Sequence, residues 1–435
     1  MITIKRVSVI QGWKIVELGF VDLCGVLRGK IFPAEKLPNL IKGGYGFDGS
    51  SCGFAEVNDS DYLAVPDSKT RIELENGIEF FLCNVYKDGD RCLLDSRLVA
   101  EKIIEKLKEE GFEAKVGCEI EFYVVDSGLK LVDGGHYMDL TFGKLDQTMR
   151  LLIEKLMNAG LVSEFTHHEV GPSQYELTPK YSNPLGMGDI IISCKRFLKQ
   201  YFALRGLMVT FMPKPFAGKP GNGLHIHLSL HMDGENVFRG EKERIPEVAL
   251  NFIAGILEHA KGLTAFMAST VNSYKRLVPG FEAPIYICWG YGNRSAMIRI
   301  PVYKPKHINR IEIRTPDTAC NPYLTIAAML AAGLDGIKRG LEAPEPAKEN
   351  LYHASLNELE SLGIEPLPEN LGEAVKYAES DSIFRSFLGA STVDRYLKIK
   401  SEEWSAYLKF LKENNLENSV NVITDWEIRE YLVRS

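Results

Sequence analysis

A two-domain protein that mixes strands and helices is what this sequence predicts, on three observations. Its 435 residues exceed what one compact core usually holds. The first hundred residues are rich in strand patterns, whereas the last third is mainly helical. Between these parts, segments that alternate with period two are separated by segments with helical spacing.

In chain order, Val16, Leu18 and Phe20 alternate and predict a first strand. "GGYGFDGSSCGF" (Gly43 to Phe54) is rich in glycine and serine and predicts an irregular loop. It fits no GxxxxGK[ST] phosphate loop, and none occurs elsewhere in the chain. "IEFFLCNVY" (Ile78 to Tyr86) predicts an apolar strand, ended by the turn signal "KDGDR". "DSRLVAEKIIEKLKEEG" then predicts a helix capped by Asp95 or Ser96, buried along Val99, Ile103 and Leu107, and stopped at Gly111. The boundary falls just before it, giving domains of residues 1–97 and 98–435. Further helices are expected from Leu145 to Ala159 and from Asp189 to Gly206, and "LEAPEPAKEN" (Leu341 to Asn350) reads as a surface segment.

Composition excludes several function classes. Hydrophobic residues make up 45% and charged residues 25%, as in ordinary soluble globular proteins. A net charge of −7 gives no basic field for nucleic acid or for an anionic membrane. The longest nearly apolar run, "YLTIAAMLAAGL" (Tyr323 to Leu334), is too short to span a bilayer. "MITIKRVSVIQGW" lacks the long apolar stretch of a secretory signal. Eight cysteines without a CxxC pair argue against a zinc ribbon or a disulfide framework, so a cytoplasmic protein with reduced thiols is expected.

Four strand-like segments share one peculiarity. "GLHIHLSL" (Gly223 to Leu230) puts Leu224, Ile226, Leu228 and Leu230 on one face, and His225, His227 and Ser229 on the other. "GCEIEFYVV" (Gly117 to Val125) pairs Glu119 with Glu121, and "SQYELTP" (Ser173 to Pro179) pairs Gln174 with Glu176. "NRIEIRTPD" (Asn309 to Asp317) aligns Arg310, Glu312 and Arg314. One such strand suits a sheet with a solvated face. A solvated face, however, usually mixes Lys, Thr and Ser with few acids, and these fronts are nearly all Glu, His and Arg. "HHEV" (His167 to Val170) adds Glu169.

If these strands line one cavity, Glu119, Glu121, Glu169, Glu176 and Glu312 converge with His225. Five confined anions resist ionising together, and two divalent cations nearly cancel that cost. Oxygen donors select hard ions, Mg²⁺ or Mn²⁺, over zinc. Arg276, Arg294 and Arg299 lie in nearby segments, and metals beside arginines suit phosphoryl transfer from ATP. The residues alone do not name the acceptor.

At these residues the chain resembles the glutamine synthetase family, of the bacterial and archaeal dodecameric type. The likeness runs in order through "FDGSS", "GCEIEF", "HHEV", "TFMPKP", "NGLHIHLSL", "NSYKRLVPGFEAP", "NRSAMIRIP", "RIEIRTPD" and "NPYL". It implies an α+β fold: a small N-terminal β-grasp-like domain, then a larger catalytic domain with a curved antiparallel sheet flanked by helices. The implied assembly is a dodecamer of two stacked hexameric rings, with active sites between subunits.

By resemblance, Glu121, Glu169 and Glu176 would hold a first metal, and Glu119, His225 and Glu312 a second beside ATP. Tyr181, His227, Ser229, Arg299 and Arg310 would serve the nucleotide. Tyr137, Gly221, Arg276 and Arg314 would serve glutamate, and Arg294 the transferred phosphate. Glu282 would close over the intermediate. Asp48 and Ser51, from the adjacent subunit, would hold ammonium. The implied reaction joins ammonium to the γ-carboxylate of L-glutamate through γ-glutamyl phosphate. "GVLRGKIFP" (Gly25 to Pro33) is similar instead to relatives that join glutamate to organic amines, the alternative. Asn84 stands where an aspartate is common, and Tyr352 in "NLY" aligns with a tyrosine that is adenylylated in some bacteria.

Overall fold

Two β-sheets carry the fold, each built from strands whose apolar positions alternate. The structure is a computed structural model that describes residues 15–141, 143–161, 163–242, 244–303, 308–416 and 422–435. The segment expected to carry no secretory signal lies outside the described residues.

The first sheet comprises β1 (Ile15–Val21), β2 (Leu27–Pro33), β3 (Tyr45–Asp48), β4 (Asp61–Pro66), β5 (Ile72–Leu74), β6 (Ile78–Lys87) and β7 (Asp90–Arg91). Its order is β2-β1-β6-β4-β3, with β5 and β7 also against β6. Val16, Leu18 and Phe20 are buried as their alternation requires. The glycine-rich stretch is only partly irregular: Tyr45–Asp48 forms an edge strand paired antiparallel to β4, and Ser50–Cys52 a single helical turn. Four residues are too few to reveal a period among glycines, so that strand was hidden.

The second sheet comprises β8 (Glu113–Val125), β9 (Ser163–His168), β10 (Gln174–Pro179), β11 (Met208–Thr210), β12 (Leu224–Met232), β13 (Glu235–Asn236), β14 (Trp289–Tyr291), β15 (Ile298–Ile300) and β16 (Ile311–Ile313). Its order is β14-β15-β16-β12-β8-β10-β9, with β11 against β8 and β13 against β12. It is not purely antiparallel, because β14 and β15 run parallel.

The back of this sheet is core. Ile120, Phe122 and Val124 on β8 and Leu224, Ile226, Leu228 and Leu230 on β12 are all buried in one hydrophobic cluster. Each fully buried Leu, Ile or Phe contributes roughly 1.5–3 kcal/mol. A slip of one residue would turn those side chains outward and the carboxylates inward, so burial of the back sets the register of the front.

Helices cover that back. The helix Ser96–Glu109 is capped by Asp95, whose side chain accepts from Arg97 N, and it buries Val99, Ile103 and Leu107 as expected. The expected Asp189–Gly206 helix instead spans Pro184–Ala203, because Asn183 caps it with its side chain and Pro184 sits in its first turn. The helix Pro322–Arg339 is almost wholly buried and crosses Glu247–Glu258 at glycines. A Cβ on Gly336 would lie 2.1 Å from the carbonyl oxygen of Asn251, so only glycine permits that approach.

Arg97 joins the two sheets' territories. Fully buried, it donates to both oxygens of Asp189 at 2.8 and 2.9 Å and to Asp67 at 3.0 Å, and it also bonds the side-chain oxygen of Asn84. Two carboxylates already answer the guanidinium charge, and Asn84 supplies a neutral third acceptor.

Candidate active site

The front of the second sheet gathers the expected residues because five of its strands are consecutive neighbours, β16-β12-β8-β10-β9. Glu312 stands opposite His227, Glu119 opposite His225, and Glu176 opposite both Glu121 and His167. Like charges directly opposed across strands repel, so the Glu121–Glu176 pair is costly without a cation.

Side-chain geometry tightens this row. His225 Nδ1 lies 2.8 Å from Glu119 Oε2 and 3.8 Å from Glu312 Oε1, while His225 Nε2 lies 3.7 Å from Glu121 Oε1. His227 Nε2 takes the other oxygen of Glu119 at 3.0 Å. Glu312 is clamped by Arg314 at 2.6 Å and by Arg299. His167 Nε2 meets Glu169 Oε1 at 3.0 Å, and its buried Nδ1 has no hydrogen-bond partner among the described residues.

Among the described residues, three groups could hold a cation: Glu119, His225 and Glu312; Glu121, Glu176 and His225; and His167, Glu169 and Glu176. Within each group one donor atom per residue lies within 4.8 Å of the others. The first matches the expected second-metal set. The other two share Glu176, which joins Glu121 and His225 in one and Glu169 and His167 in the other; the expected trio of Glu121, Glu169 and Glu176 is thus split between two adjoining groups. His167 was missed, although "HHEV" carried it two positions from Glu169 on one side of the chain.

The electrostatics fit a divalent ion. Burial, then repulsion from Glu119, Glu121 and Glu169, pushes the Glu176 carboxyl well above its ordinary range. Burial likewise raises Glu121, despite His225 nearby. Burial opposes charge on Glu119 too, but the bonds to His225 and His227 prevail and hold it well below 4.5. Glu312 is buried as well, yet Arg314, His227 and His225 bring it down to about 2. Oxygen donors with one or two imidazoles are a donor set suited to a divalent cation.

Two cavities open onto this row. One, of about 640 Å³, is lined by Glu121, Glu169, Glu176 and His225 together with Tyr137, Gly221, Arg276, Glu282, Arg294 and Arg314. The other, of about 630 Å³, is lined by Tyr181, His227, Ser229 and Arg310. Glu119, Phe165 and Tyr303 belong to both. Phe165 and Tyr303 carried no sequence signal of a role. A Cβ on Gly221 would lie 2.7 Å from Arg276 Cγ, so glycine there leaves the arginine its place. Arg276 itself is fixed by donation to the carbonyls of Thr315 at 2.9 Å and Arg314 at 3.0 Å.

Three expected residues lie apart. Arg299 lines neither cavity and turns to Glu312, with Tyr303 beside it. Ser51 borders a separate cavity of about 490 Å³. Asp48, at the exposed end of β3, accepts from Ser50 Oγ at 2.7 Å and Ser51 Oγ at 2.6 Å. Those hydroxyls bring its pKa down to about 2. Tyr352 is not a free surface tyrosine, since its hydroxyl donates to the carbonyl of Ala283 at 3.0 Å.

Residues 93–419 match the family model described as glutamine synthetase, catalytic domain, and residues 12–88 match glutamine synthetase, beta-Grasp domain. The chain belongs to the glutamine synthetase family. Among relatives named glutamine synthetase, that of Pyrococcus abyssi is 44% identical over 425 residues, 96% of each chain. That of Methanocaldococcus jannaschii is 39% identical over 445 residues, 97% of this chain and 95% of its own. A solved structure described as "Apo GmaS without ligand" has a TM-score of 0.83 and 31% identity, covering 96% of both chains. Another, "GmaS/ADP complex-Conformation 1", has the same TM-score at 30% identity and the same coverage. The α+β architecture with an N-terminal β-grasp domain is thus that of the glutamine synthetases, and the family depends on ATP and divalent metal. Among the described residues, no helix is long and apolar enough to cross a membrane.

Proposed function

We propose that the chain is a glutamate–ammonia ligase that joins ammonium to the γ-carboxylate of L-glutamate, using ATP and releasing ADP and phosphate. One observation carries this reading: the register-matched row of acids and histidines lies between two cavities that share Glu119. In the larger cavity Arg276 pairs with the α-carboxylate of glutamate, Gly221 and Tyr137 border the amino acid, and Arg314 lies near its side-chain carboxylate. Tyr181, His227, Ser229 and Arg310 receive the nucleotide in the other.

Glu121, Glu169 and Glu176 would hold one Mg²⁺ or Mn²⁺, and Glu119, His225 and Glu312 a second. Bound there, such ions neutralise the carboxylates and the phosphate oxygens between the substrates. The γ-carboxylate oxygen of glutamate attacks the terminal phosphorus of ATP; the bond to the bridging oxygen breaks, and ADP leaves with its electrons. Arg294 and Arg299 stabilise charge on the transferring group, Arg299 by turning from Glu312. Glu282 closes over γ-glutamyl phosphate and keeps water from the acyl carbon. Asp48, held ionised by its serine partners, captures ammonium with Ser51 and takes one proton from it; ammonia attacks the acyl carbon, the carbon–oxygen bond to phosphate breaks, and the second proton on nitrogen leaves with the departing phosphate.

Asp48 lines neither cavity of its own chain, which supports its delivery to a neighbouring copy within a dodecamer of two stacked hexameric rings. Eight free cysteines suit a reducing cytoplasm. We place the domain division near residue 97, in the first turn of the helix that Asp95 caps.

The test is glutamate- and ATP-dependent phosphate release with ammonium, putrescine, ethylamine or no acceptor. Release matched by glutamine formation with ammonium is expected. Stimulation by an organic amine alone would replace this reading with the glutamate–amine ligase, and release without glutamate would end it.

A further inference from the structure

The segment that carries Glu282 is fastened at two consecutive carbonyls. Arg314 Nη2 donates to the carbonyl of Glu282 at 3.0 Å, and the Tyr352 hydroxyl donates to that of Ala283 at 3.0 Å. Glu282 has φ of 57°, a left-handed backbone that a residue with a Cβ keeps only when its surroundings hold it there. Gly280, at φ 87°, supplies the bend just before it. Ala283 is buried, so its carbonyl depends on a protein donor.

The two fasteners differ in kind. Arg314 lines the larger cavity and also holds Glu312 at 2.6 Å, so whatever fills that cavity competes for it. Tyr352 lines neither cavity. It reaches in from the turn Leu351–His353, which is anchored on its own account. Asn350 accepts from the Tyr352 amide at 3.1 Å, and the Leu351 amide donates to Ser295 Oγ at 3.1 Å. Leu351 itself packs in a small core with Cys288, Ala296, Ala347 and Leu359. Burial pushes the Tyr352 hydroxyl up to about 12, so it remains a donor throughout the neutral range.

We infer that Tyr352 is a positioning residue of the ligase reaction: its hydroxyl fixes the backbone at Ala283, and so holds the Glu282 carboxylate over the cavity while Arg314 is engaged elsewhere. The inference rests on the reading of Glu282 as the closing acid. It gives the tyrosine a constant part in every turnover, through a bond that tyrosine makes and phenylalanine cannot.

Tyr352→Phe keeps the ring and removes the bond, with Glu282→Ala as the companion variant. In Tyr352→Phe, glutamine formation falls about tenfold, as for loss of one buried hydrogen bond, with KM for ATP little changed. At limiting ammonium, phosphate released per glutamine formed rises above that of the parent enzyme. Amide exchange quickens across residues 279–285 and not elsewhere. A merely structural role would lower both products together and leave their ratio unmoved. If Glu282→Ala leaks phosphate and Tyr352→Phe does not, the tether is overturned while the closing role survives. If neither leaks, the closing role fails, and unchanged exchange across 279–285 then removes the tether as well.

Discussion

His225 and Glu119 stand opposite each other on neighbouring strands, and their side chains meet, Nδ1 to Oε2, at 2.8 Å. His227 occupies the other oxygen of Glu119 at 3.0 Å. A cation entering here must take over lone pairs already committed to imidazole. His225→Ala is therefore expected to weaken Mn²⁺ binding more than tenfold, since removal of a ligand costs at least as much as removal of its supporting partner. Titration of the purified protein with Mn²⁺, followed by its paramagnetic resonance, checks this; unchanged affinity and stoichiometry would refute the ligand assignment.

Glu312 is a different kind of acid, because two buried arginines depend on it. Glu312→Ala removes the one carboxylate that bonds both Arg299 and Arg314 and is expected to cost about 3–5 kcal/mol of stability. Glu119→Ala strands no arginine and is expected to cost less. Urea unfolding of both variants measures the gap, and equal losses would contradict the pairing.

Asp48→Ala is expected to slow amide formation at least about a hundredfold while ADP affinity stays within about twofold, because its carboxylate lies outside the cavity proposed for the nucleotide. If Asp48 works in a neighbour's site, mixing Asp48→Ala with Glu282→Ala subunits restores activity at roughly a quarter of the interfaces. Failure of co-assembled mixtures to recover any activity would return Asp48 to a role within its own chain.

Away from the site, His259 bridges Asp381 at 2.7 Å and Asp335 at 3.0 Å. Burial opposes its charge, but the two carboxylates prevail and raise its pKa above 6.5. A raised folded value means that its stabilisation is complete below the unfolded value and fades as pH climbs through the folded one. Unfolding midpoints should show His259→Gln less stable than the parent by about 1 kcal/mol at about pH 6, with the difference shrinking toward about pH 9. A difference that grows with pH would reverse the assignment.

The sheet front was legible because the long strands β8 and β12 show both an apolar back and an ionisable front in their own letters. β9 was not, since "SEFTHH" has no apolar set from which to choose a face; that is why Glu169 was noticed and His167 was not given a role. β11, β14 and β15 have three residues each, and their flanks do not extend an alternation as those of the equally short β16 do, so they take their geometry from their partners. The Pro184–Ala203 helix starts at Asn183-Pro184, a cap followed by a first-turn proline, five residues before the expected start; Gly186 and Gly188, poor helix formers, lie between. The buried pairing of Lys275 with Glu427 joins distant parts of the chain, and no local pattern announces it. The role proposed for Asp48 in a neighbouring copy came only through resemblance.

Glu119, Phe165 and Tyr303 form a party wall between the two chambers, so a ligand that moved any of them from one side would reshape the other. Reciprocity then requires that any tightening of amino-acid binding by nucleotide be returned in equal measure. An inhibitor confined to either side would inherit its potency from whatever occupied the adjoining room, whereas a molecule bridging the wall would be free of that dependence.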